Sequence, residues 1–156
     1  MSFRPNHIFS AIIDIKSAFL AEHSIKALTL DLDNALVPYK TRRATPEIIK
    51  WLTEMRTSGI KLLVLSNAKQ PRVAEFCAPL GLNYIAKAGK PRITAYQSAV
   101  KLLGITPEHI AHVGDQIFTD VRGANRSGFI SIRVSPIDLS FFPYRLRSWV
   151  EKPFLK

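Results

Sequence analysis

Residues 26–37 read KALTLDLDNALV, and this stretch predicts the centre of the fold. Five of the six residues in 27–32 are apolar or Thr, a composition typical of a strand buried on both faces. The strand ends in two carboxylates, Asp31 and Asp33, which flank Leu32. Because side chains alternate along an extended chain, both carboxylates should point to the same side. The pair could bind a divalent cation or act on a phosphate, and an ordinary turn after a strand is the alternative.

Four later segments also have the composition of buried strands, and helical patterns separate them. The strand segments cover 60–66 (IKLLVLS), 83–86 (NYIA), 109–115 (HIAHVGD) and 128–134 (GFISIRV), and the helical segments cover 46–58, 69–80, 91–103 and 117–126. Strands that alternate with helices predict an α/β fold with a parallel sheet and helices on both faces. We therefore expect one Rossmann-like domain over residues 1–156, with a five-stranded, mainly parallel sheet. Its core should cover about residues 26–134, with N- and C-terminal extensions packed on it, the first as one or two short helices.

Five polar side chains fall at the ends of these strands or in the loops beside them. They are Asp31, Asp33, Ser66, Lys90 and Asp115. Open parallel sheets bind their ligands at the carboxyl ends of the strands, so we expect these side chains along one edge of the sheet. Each alone has a simpler explanation, such as a helix cap for Ser66 or a solvated turn for Lys90. The presence of all five at one edge favours a ligand-binding or catalytic site.

The residue types at this edge suit phosphate chemistry. Mg²⁺ prefers one or two carboxylates together with water and substrate phosphate. A carboxylate can also attack phosphorus and form an aspartyl-phosphate, while a second carboxylate protonates the leaving oxygen and then activates water. Asp31 and Asp33 are suited to divide these two tasks.

The motifs DLDNA (31–35), LSNA (65–68) and GDQIFTD (114–120), together with Lys90, resemble in order the four motifs of the haloacid dehalogenase superfamily. Within it, the chain is most similar to the subclass IIIA phosphatases of the YqeG type. The resemblance implies that Asp31 is the nucleophile, and that Asp33 is the acid/base and offers its backbone carbonyl to Mg²⁺. It also implies that Ser66, Asn67 and Lys90 bind the substrate phosphate, that Asp115 completes the metal site with Asp31 and Asp33, and that Asp120 orients Lys90 or a metal-bound water.

Two features distinguish this chain from the family pattern. Ala35 stands where a Thr is usual, so we expect altered hydrogen bonding in this loop and a lower rate. Superfamily members often carry a cap domain, but the segments after Asp33 and after residue 86 are too short for one. The site should therefore be open and suit a phosphate on a bulky carrier, such as a protein, a nucleic-acid end or a lipid headgroup.

The chain carries 22 Lys and Arg against 12 Asp and Glu, and its net charge of +10 favours a polyanionic partner. Ten of these cations should surround the expected site: Lys40, Arg42, Arg43, Lys69, Arg72, Lys87, Lys90, Arg92, Arg122 and Arg126. A catalytically weak module that binds nucleic acid or protein is the alternative function. However, the sequence contains no recognition helix, RNA-binding aromatic strand or zinc-ligand spacing, so we expect no specific nucleic-acid binding. His112 is interpreted as a core histidine.

The single cysteine, Cys77, allows no disulfide within the chain, and no apolar run approaches the roughly 20 residues of a membrane span. We therefore expect a cytoplasmic protein, with peripheral membrane binding as an alternative. Residues 139–156 suit either packing on the core or insertion at a membrane interface, because they mix Phe141, Phe142, Tyr144, Leu146, Trp149 and Phe154 with Arg and Lys. The resemblance to YqeG-type phosphatases implies phosphatidylglycerophosphate as a candidate substrate.

Overall fold

Strand β2 (Ala27–Leu30) lies inside the sheet, between two parallel neighbours. These are β3 (Lys61–Leu65) on one side and β5 (Ile110–Gly114) on the other, so that Leu28 pairs with both Leu62 and Ala111. The computed structural model describes residues 3–140 and 142–155, and only the backbone for residues 142–144. All four residues of β2 are buried, as the sequence predicts for a strand covered on both faces.

Three further strands complete the sheet: β1 (His7–Phe9), β4 (Asn83–Ile85) and β6 (Ile130–Val134). The order is β1-β6-β5-β2-β3-β4, and every pair is parallel. The α/β fold with a parallel sheet is therefore confirmed, but the sheet has six strands where the sequence predicts five. The added strand, β1, is only three residues long and has no periodicity of its own. A hydrogen bond next to β1 stabilises its pairing with β6, because the backbone N–H of Asn6 donates to the Ser131 carbonyl at 3.0 Å.

The described residues form six α-helices, namely α1 (Ser17–Glu22), α2 (Pro46–Thr57), α3 (Gln70–Cys77), α4 (Ile93–Leu103), α5 (Arg122–Arg126) and α6 (Phe142–Glu151). Short 3₁₀ turns occur at Ile12–Asp14, Ala78–Leu80, Pro107–His109 and Lys152–Leu155. Residues 117–126, predicted as one helix, begin with a π-helical turn at Ile117–Val121 that leads into α5. The N-terminal extension contains the expected short helix, α1, after the strand and one 3₁₀ turn.

The apolar side chains form a core on each face of the sheet. On one face, Leu28 and Leu30 belong to a cluster with Trp51 of α2 and Phe76 of α3. On the other, Ala27 belongs to a cluster that includes residues of α4 and α5. This division follows from the alternation of side chains along β2, and it confirms that helices cover both faces.

Helix α2 begins where the sequence predicts it. The Thr45 hydroxyl oxygen accepts a hydrogen bond from the Ile48 N–H at 3.2 Å, and Pro46 occupies the first turn. On its buried face, the Trp51 indole N–H donates to the Ile15 carbonyl at 2.8 Å. This bond connects the N-terminal extension to the core.

The C-terminal segment packs on the core by one part of its surface. Glu151 is buried, and its Oε1 accepts hydrogen bonds from the N–H groups of Ile117 at 2.8 Å and Phe118 at 3.4 Å. The ring of Phe154 contacts the rings of Phe3 and Phe118. The C-terminal residues expected either to pack or to face a membrane include Phe141, which lies outside the described residues.

Neither position at which the superfamily inserts a cap contains one. Residues 34–45, between Asp33 and α2, form a loop closed by a bridge from Asp33 to Val37, and only residues 86–92 separate β4 from α4. Over the described ranges, no helix has the length and apolar character needed to cross a bilayer.

Candidate active site

The carboxyl ends of β2, β3 and β5 border a cavity of about 620 Å³. Its lining includes Asp31, Asp33, Ser66, Asn67 and Lys90. These side chains meet here because all strands run in the same direction, which places the residues that follow them at a common edge.

Asp31 directly follows β2, and its N–H extends the ladder by donating to the Val113 carbonyl at 2.9 Å. Its Oδ1 accepts a hydrogen bond from the Lys90 ammonium at 2.9 Å, and the residue is only 8% exposed. Burial, together with the nearby charge of Asp120, raises the pKa of Asp31 to about 7, against the opposing effect of Lys90. The raised pKa means that the charged form of Asp31 is unfavourable in this environment. Such a carboxylate is typical of a functional site, where a bound cation or the reaction itself neutralises the charge.

Lys90 connects two carboxylates at the wall of the cavity. Its Nζ lies 2.9 Å from Asp31 Oδ1 and 2.6 Å from Asp120 Oδ1, and its side chain is almost fully buried. Burial favours the neutral amine, but the carboxylates of Asp120 and Asp31 outweigh it and raise the pKa of Lys90. The ammonium is therefore charged at neutral pH.

The side chain of Asn67 holds the backbone at Lys90. Its Oδ1 accepts from the Lys90 N–H at 2.8 Å, and its Nδ2 donates to the Lys90 carbonyl at 3.1 Å. Both side-chain functions of Asn67 are thus engaged in positioning Lys90. The role of Asn67 in binding substrate, implied by the resemblance, stays a prediction.

Asp120 lies in a buried hydrogen-bond network. Its Oδ1 is 2.8 Å from His112 Nε2, and His112 Nδ1 is 2.8 Å from the Thr29 hydroxyl oxygen. Burial raises the pKa of Asp120, but the interactions with Lys90 and His112 outweigh this effect and lower it. The Asp120 carboxyl group is therefore ionised. Burial lowers the pKa of His112, so its ring is neutral. An ionised carboxylate can only accept hydrogen bonds, so Nε2 of His112 carries the ring proton and donates to Asp120. Nδ1 of His112 is then an acceptor, and the Thr29 hydroxyl donates to it.

Asp115 follows β5 and has one carboxylate oxygen with no hydrogen-bond partner among the described residues, although it is buried. Burial, followed by the charges of Asp31 and Asp120, raises the pKa of Asp115. Carboxylate oxygens of Asp31, Asp115 and Asp120 all lie within 4.8 Å of one another. An orphaned buried oxygen within three clustered carboxylates fits a hard divalent cation.

The carboxylate of Asp33 lies apart from this cluster. Its Oδ1 accepts from Arg72 Nη2 at 2.9 Å and from the Lys40 N–H at 3.3 Å. The resemblance implies a metal site formed by Asp31, Asp115 and the backbone carbonyl of Asp33. Among the described residues, the carboxylates that cluster are those of Asp31, Asp115 and Asp120. A metal contact through the Asp33 backbone carbonyl stays a prediction.

Ser66 follows β3 and is buried at the cavity wall. Its hydroxyl oxygen accepts from the Ala68 N–H at 3.0 Å, which closes a short turn before α3. Ala35 is also buried, and its neighbour Asn34 makes the loop hydrogen bonds, its N–H donating to the Val37 carbonyl at 2.7 Å. The effect of Ala35 on rate stays a prediction.

The sequence predicts no specific role for two residues at the site. The sequence identifies Arg72 only as one of the ten basic residues, and its pairing with Asp33 depends on how α3 packs against the loop after β2. Arg147 lines the cavity from α6 and belongs to a segment whose position the sequence left open. His112, interpreted as a core histidine, is buried but also bonds Asp120.

Of the ten basic residues expected around the site, Lys40, Lys69, Arg72 and Lys90 line the cavity. Arg126 instead borders a separate groove with Pro107 and Phe129. The cavity is therefore positively charged, but fewer of the predicted cations contribute than the sequence suggests.

This fold and site define a class of hydrolase. Residues 8–128 match the family model described as haloacid dehalogenase-like hydrolase, and the chain belongs to that family. It is 38% identical to the "Probable phosphatase YqeG" of Bacillus subtilis (strain 168) over 98% of this chain and 90% of that protein. The chain is thus a phosphatase of this family, as the sequence motifs predict.

More distant relatives extend the comparison. A glyceraldehyde 3-phosphate phosphatase from Methanopyrus kandleri is 29% identical over 57% of this chain and 42% of that protein. The crystal structure of 3-deoxy-D-manno-octulosonate 8-phosphate phosphatase from Moraxella catarrhalis, in complex with magnesium, phosphate and its KDO molecule, is 24% identical with a TM-score of 0.52. The match covers 61% of this chain and 60% of that one, and it shows a shared fold.

Proposed function

We propose that the protein is a Mg²⁺-dependent phosphatase that hydrolyses a phosphomonoester through an aspartyl-phosphate on Asp31. The observation that carries this proposal is the position of Asp31, which borders the cavity while its carboxylate meets Asp115, Asp120 and the Lys90 ammonium. A carboxylate that borders the cavity on one side and pairs with a buried ammonium on the other suits a nucleophile.

In the first step, a carboxylate oxygen of Asp31 attacks phosphorus, and the bond from phosphorus to the leaving oxygen breaks. Asp33, held at the cavity wall by Arg72, gives a proton to that oxygen, so the leaving group departs as an alcohol. In the second step, Asp33 takes a proton from water, whose oxygen attacks phosphorus. Phosphate leaves, and the Asp31 carboxylate is restored.

Ser66 and Lys90 bind the phosphoryl oxygens in this proposal, and the ammonium of Lys90 offsets their charge. Asp120 positions Lys90, since its Oδ1 bonds Lys90 and its Oδ2 accepts from the Gln116 N–H at 3.2 Å. Asp31 and Asp115 would hold the Mg²⁺, and the ion would neutralise their charges and those developing on the phosphoryl group.

The test is turnover of para-nitrophenyl phosphate by purified protein with Mg²⁺ and with EDTA. We expect activity with Mg²⁺ only, and a loss of several orders of magnitude in Asp31→Asn. The matched control is Glu22→Gln, which removes an exposed carboxylate from α1. Equal turnover by wild type and Asp31→Asn, or full activity in EDTA, would refute the proposal.

For the substrate, we propose a phosphomonoester on a bulky carrier, with phosphatidylglycerophosphate as the lipid that the sequence resemblance implies. The absence of a cap over residues 34–45 and 86–92 supports access by a headgroup that stays in a bilayer. Helix α6 supports it as well, because Leu146, Trp149 and Val150 are 51%, 68% and 44% exposed. These residues share one helical face and adjoin Arg145 and Lys152, a combination that suits an anionic membrane surface.

The lipid proposal is tested with phosphatidylglycerophosphate in anionic vesicles beside soluble nucleotides and sugar phosphates. We expect the higher kcat/KM for the lipid, and sedimentation with the vesicles that weakens in Trp149→Ser. Leu102→Ser is the control, because Leu102 is 65% exposed on α4. A higher kcat/KM for the soluble compounds, with no sedimentation at low salt, would exclude the lipid.

A further inference from the structure

A buried carboxylate of helix α6 lies against the loop that follows β5. Glu151 is only 2% exposed, and its Oε1 accepts from the N–H groups of Ile117 at 2.8 Å and Phe118 at 3.4 Å. These N–H groups begin the π-helical turn, and the first donors of a helix have no acceptor within it. Gln116, the residue before the turn, provides no side-chain cap. Glu151 therefore caps the turn from a distant part of the chain.

Arg133 holds the same loop through a carbonyl group. It pairs with Gly114 across β6 and β5, and its Nε donates to the carbonyl oxygen of Asp115 at 3.2 Å. The residue is 6% exposed. Burial lowers the pKa of Arg133, and the carboxylates of Glu151 and then Asp115 oppose this effect. The Arg133 guanidinium and the Glu151 carboxylate thus compensate each other's buried charge, and Arg147 also interacts electrostatically with Glu151.

The backbone held in this way carries two of the three clustered carboxylates. Asp115 begins this segment, and Asp120 lies in the turn that follows. One carboxylate oxygen from each of Asp31, Asp115 and Asp120 lies within 4.8 Å of the other two. Like charges at this distance repel one another, whereas Mg²⁺ demands a near-ideal arrangement of its ligands. Contacts that fix the backbone at residues 115, 117 and 118 keep the carboxylates together against this repulsion.

Neither Glu151 nor Arg133 belongs to the described lining of the cavity. They therefore act on the site through the backbone of residues 115–118 and not by contact with substrate. Groups that orient metal ligands indirectly typically change the metal affinity by about 10- to 100-fold when they are mutated.

We propose that Glu151, together with Arg133, is a positioning residue that sets the metal affinity of the site by fixing the backbone of residues 115–118. This inference rests on the proposed function and adds to it the part of the chain that determines how tightly the cation is bound. It makes the C-terminal helix α6 a requirement for the metal site, although the clustered carboxylates come from the segments that follow β2 and β5.

The test measures binding of Mn²⁺ to the full chain by electron paramagnetic resonance, in which the signal of free Mn²⁺ gives both Kd and the number of sites. Mn²⁺ is the probe because it accepts the same oxygen ligands as Mg²⁺. We expect one site in wild type and much weaker binding in Asp115→Ala. A wild type without a site that depends on Asp115 would refute the proposed metal site and this inference together.

Glu151→Met removes the acceptor at similar side-chain length, so Kd should rise by about 10- to 100-fold with the number of sites unchanged. Glu151→Gln retains an acceptor oxygen and should bind Mn²⁺ more tightly than Glu151→Met. Glu151→Asp withdraws the carboxylate by one methylene, and its Kd, which should also rise, decides the question if Glu151→Met does not fold. The control is Glu54→Met, which replaces an exposed carboxylate of α2 and should leave Kd unchanged.

Turnover separates positioning from a general loss of stability. In the Glu151 variants, the Mg²⁺ concentration for half-maximal turnover of para-nitrophenyl phosphate should rise, while kcat at saturating Mg²⁺ stays near that of wild type. A loss of sites and of kcat without a change in Kd would show a structural role only and overturn the inference.

The same measurements distinguish this inference from the proposed reaction. Kd values equal to wild type in Glu151→Met and Glu151→Asp would overturn the inference and leave the reaction intact. Mn²⁺ binding that depends on Glu151, in a protein without phosphatase activity, would refute the reaction and retain the inference.

Discussion

Nε2 of His112 lies 2.8 Å from Oδ1 of Asp120, and both side chains are buried. The same oxygen accepts from Lys90 at 2.6 Å, so a buried strand residue outside the cavity lining helps to hold the ammonium in place. The ring is in turn oriented by the hydroxyl of Thr29 on β2, at 2.8 Å. This network connects the centre of the sheet with the proposed catalytic groups.

Thr29→Val should therefore weaken the protein although it preserves shape. The substitution leaves buried Nδ1 of His112 without a donor, which costs about 1–3 kcal/mol in the free energy of unfolding. Urea denaturation measures this loss, and Thr53→Val on the exposed face of α2 is the control, with an expected change within about 0.5 kcal/mol. Equal stabilities of the two variants would show that the hydroxyl does not orient the ring.

Gly114→Ala should disturb Asp120 directly. A Cβ built at Gly114 would overlap the Asp120 carboxyl group, so Asp120 would have to move away from Lys90 and His112. We expect a stability loss of about 1–3 kcal/mol and a marked loss of turnover per folded molecule. Gly123→Ala is the comparison, because a Cβ at this position would overlap the ring of Tyr96 instead. We expect this variant to be less stable than wild type but to lose less turnover than Gly114→Ala. Wild-type turnover in Gly114→Ala would contradict the role given to Asp120.

Arg72→Gln should lower kcat by about 10- to 100-fold, because the Asp33 carboxylate would lose the partner that positions it. The pair is mostly shielded, with side-chain exposures of 19% and 14%. The matched control is Arg42→Gln, whose ion pair with Glu75 is 4.0 Å long and exposed, and which should leave kcat nearly unchanged. Similar kinetics in both variants would remove Arg72 from the site.

Asp31→Asn should be inactive yet more stable than wild type when metal is removed. The folded state raises the pKa of Asp31 from 3.8 to about 7, so it binds a proton more tightly than the unfolded chain. The contribution of this group to stability therefore falls as pH rises between these values and is constant above them. In EDTA at pH 8, the variant should gain on the order of 2 kcal/mol, and the gain should vanish toward pH 4.

Thermal unfolding at several pH values, with and without Mg²⁺, measures this difference. Mg²⁺ should stabilise wild type more than Asp31→Asn, because the variant lacks one of the clustered carboxylates. An Asp31→Asn protein that is less stable than wild type at pH 8 in EDTA would show that the Asp31 charge is well compensated without metal.

The sequence predicts the position of a residue well when a strand end determines it. Asp31, Ser66 and Asp115 follow buried strands, and in a parallel sheet this places them at one edge without knowledge of their contacts. Periodicity identifies the buried face but not the partner, so the bond from His112 to Asp120 could not be predicted. Arg72 and Arg147 reach the cavity through the packing of helices, and no local pattern encodes that packing.

The predicted number of strands, five, is wrong for a similar physical reason. β1 has only three residues, and it forms a strand because its backbone pairs with the edge of β6. The six-stranded sheet therefore depends on contacts between distant segments, while the five predicted strands have a composition that identifies them individually.

The pairing of β1 with β6 has a consequence for how the enzyme is made. Asn6 and Ser131 bond to each other across 125 residues of sequence, so β1 leaves the ribosome long before its partner β6 is synthesised. At about 5–20 residues per second, this wait is on the order of ten seconds. During it β2 also lacks β5, and the loop that carries Asp115 and Asp120 does not yet exist. A nascent chain therefore exposes open strand edges to chaperones and neighbouring chains until β5 and β6 have been made, and the carboxylates of Asp115 and Asp120 can join that of Asp31 only after residue 120 has been added.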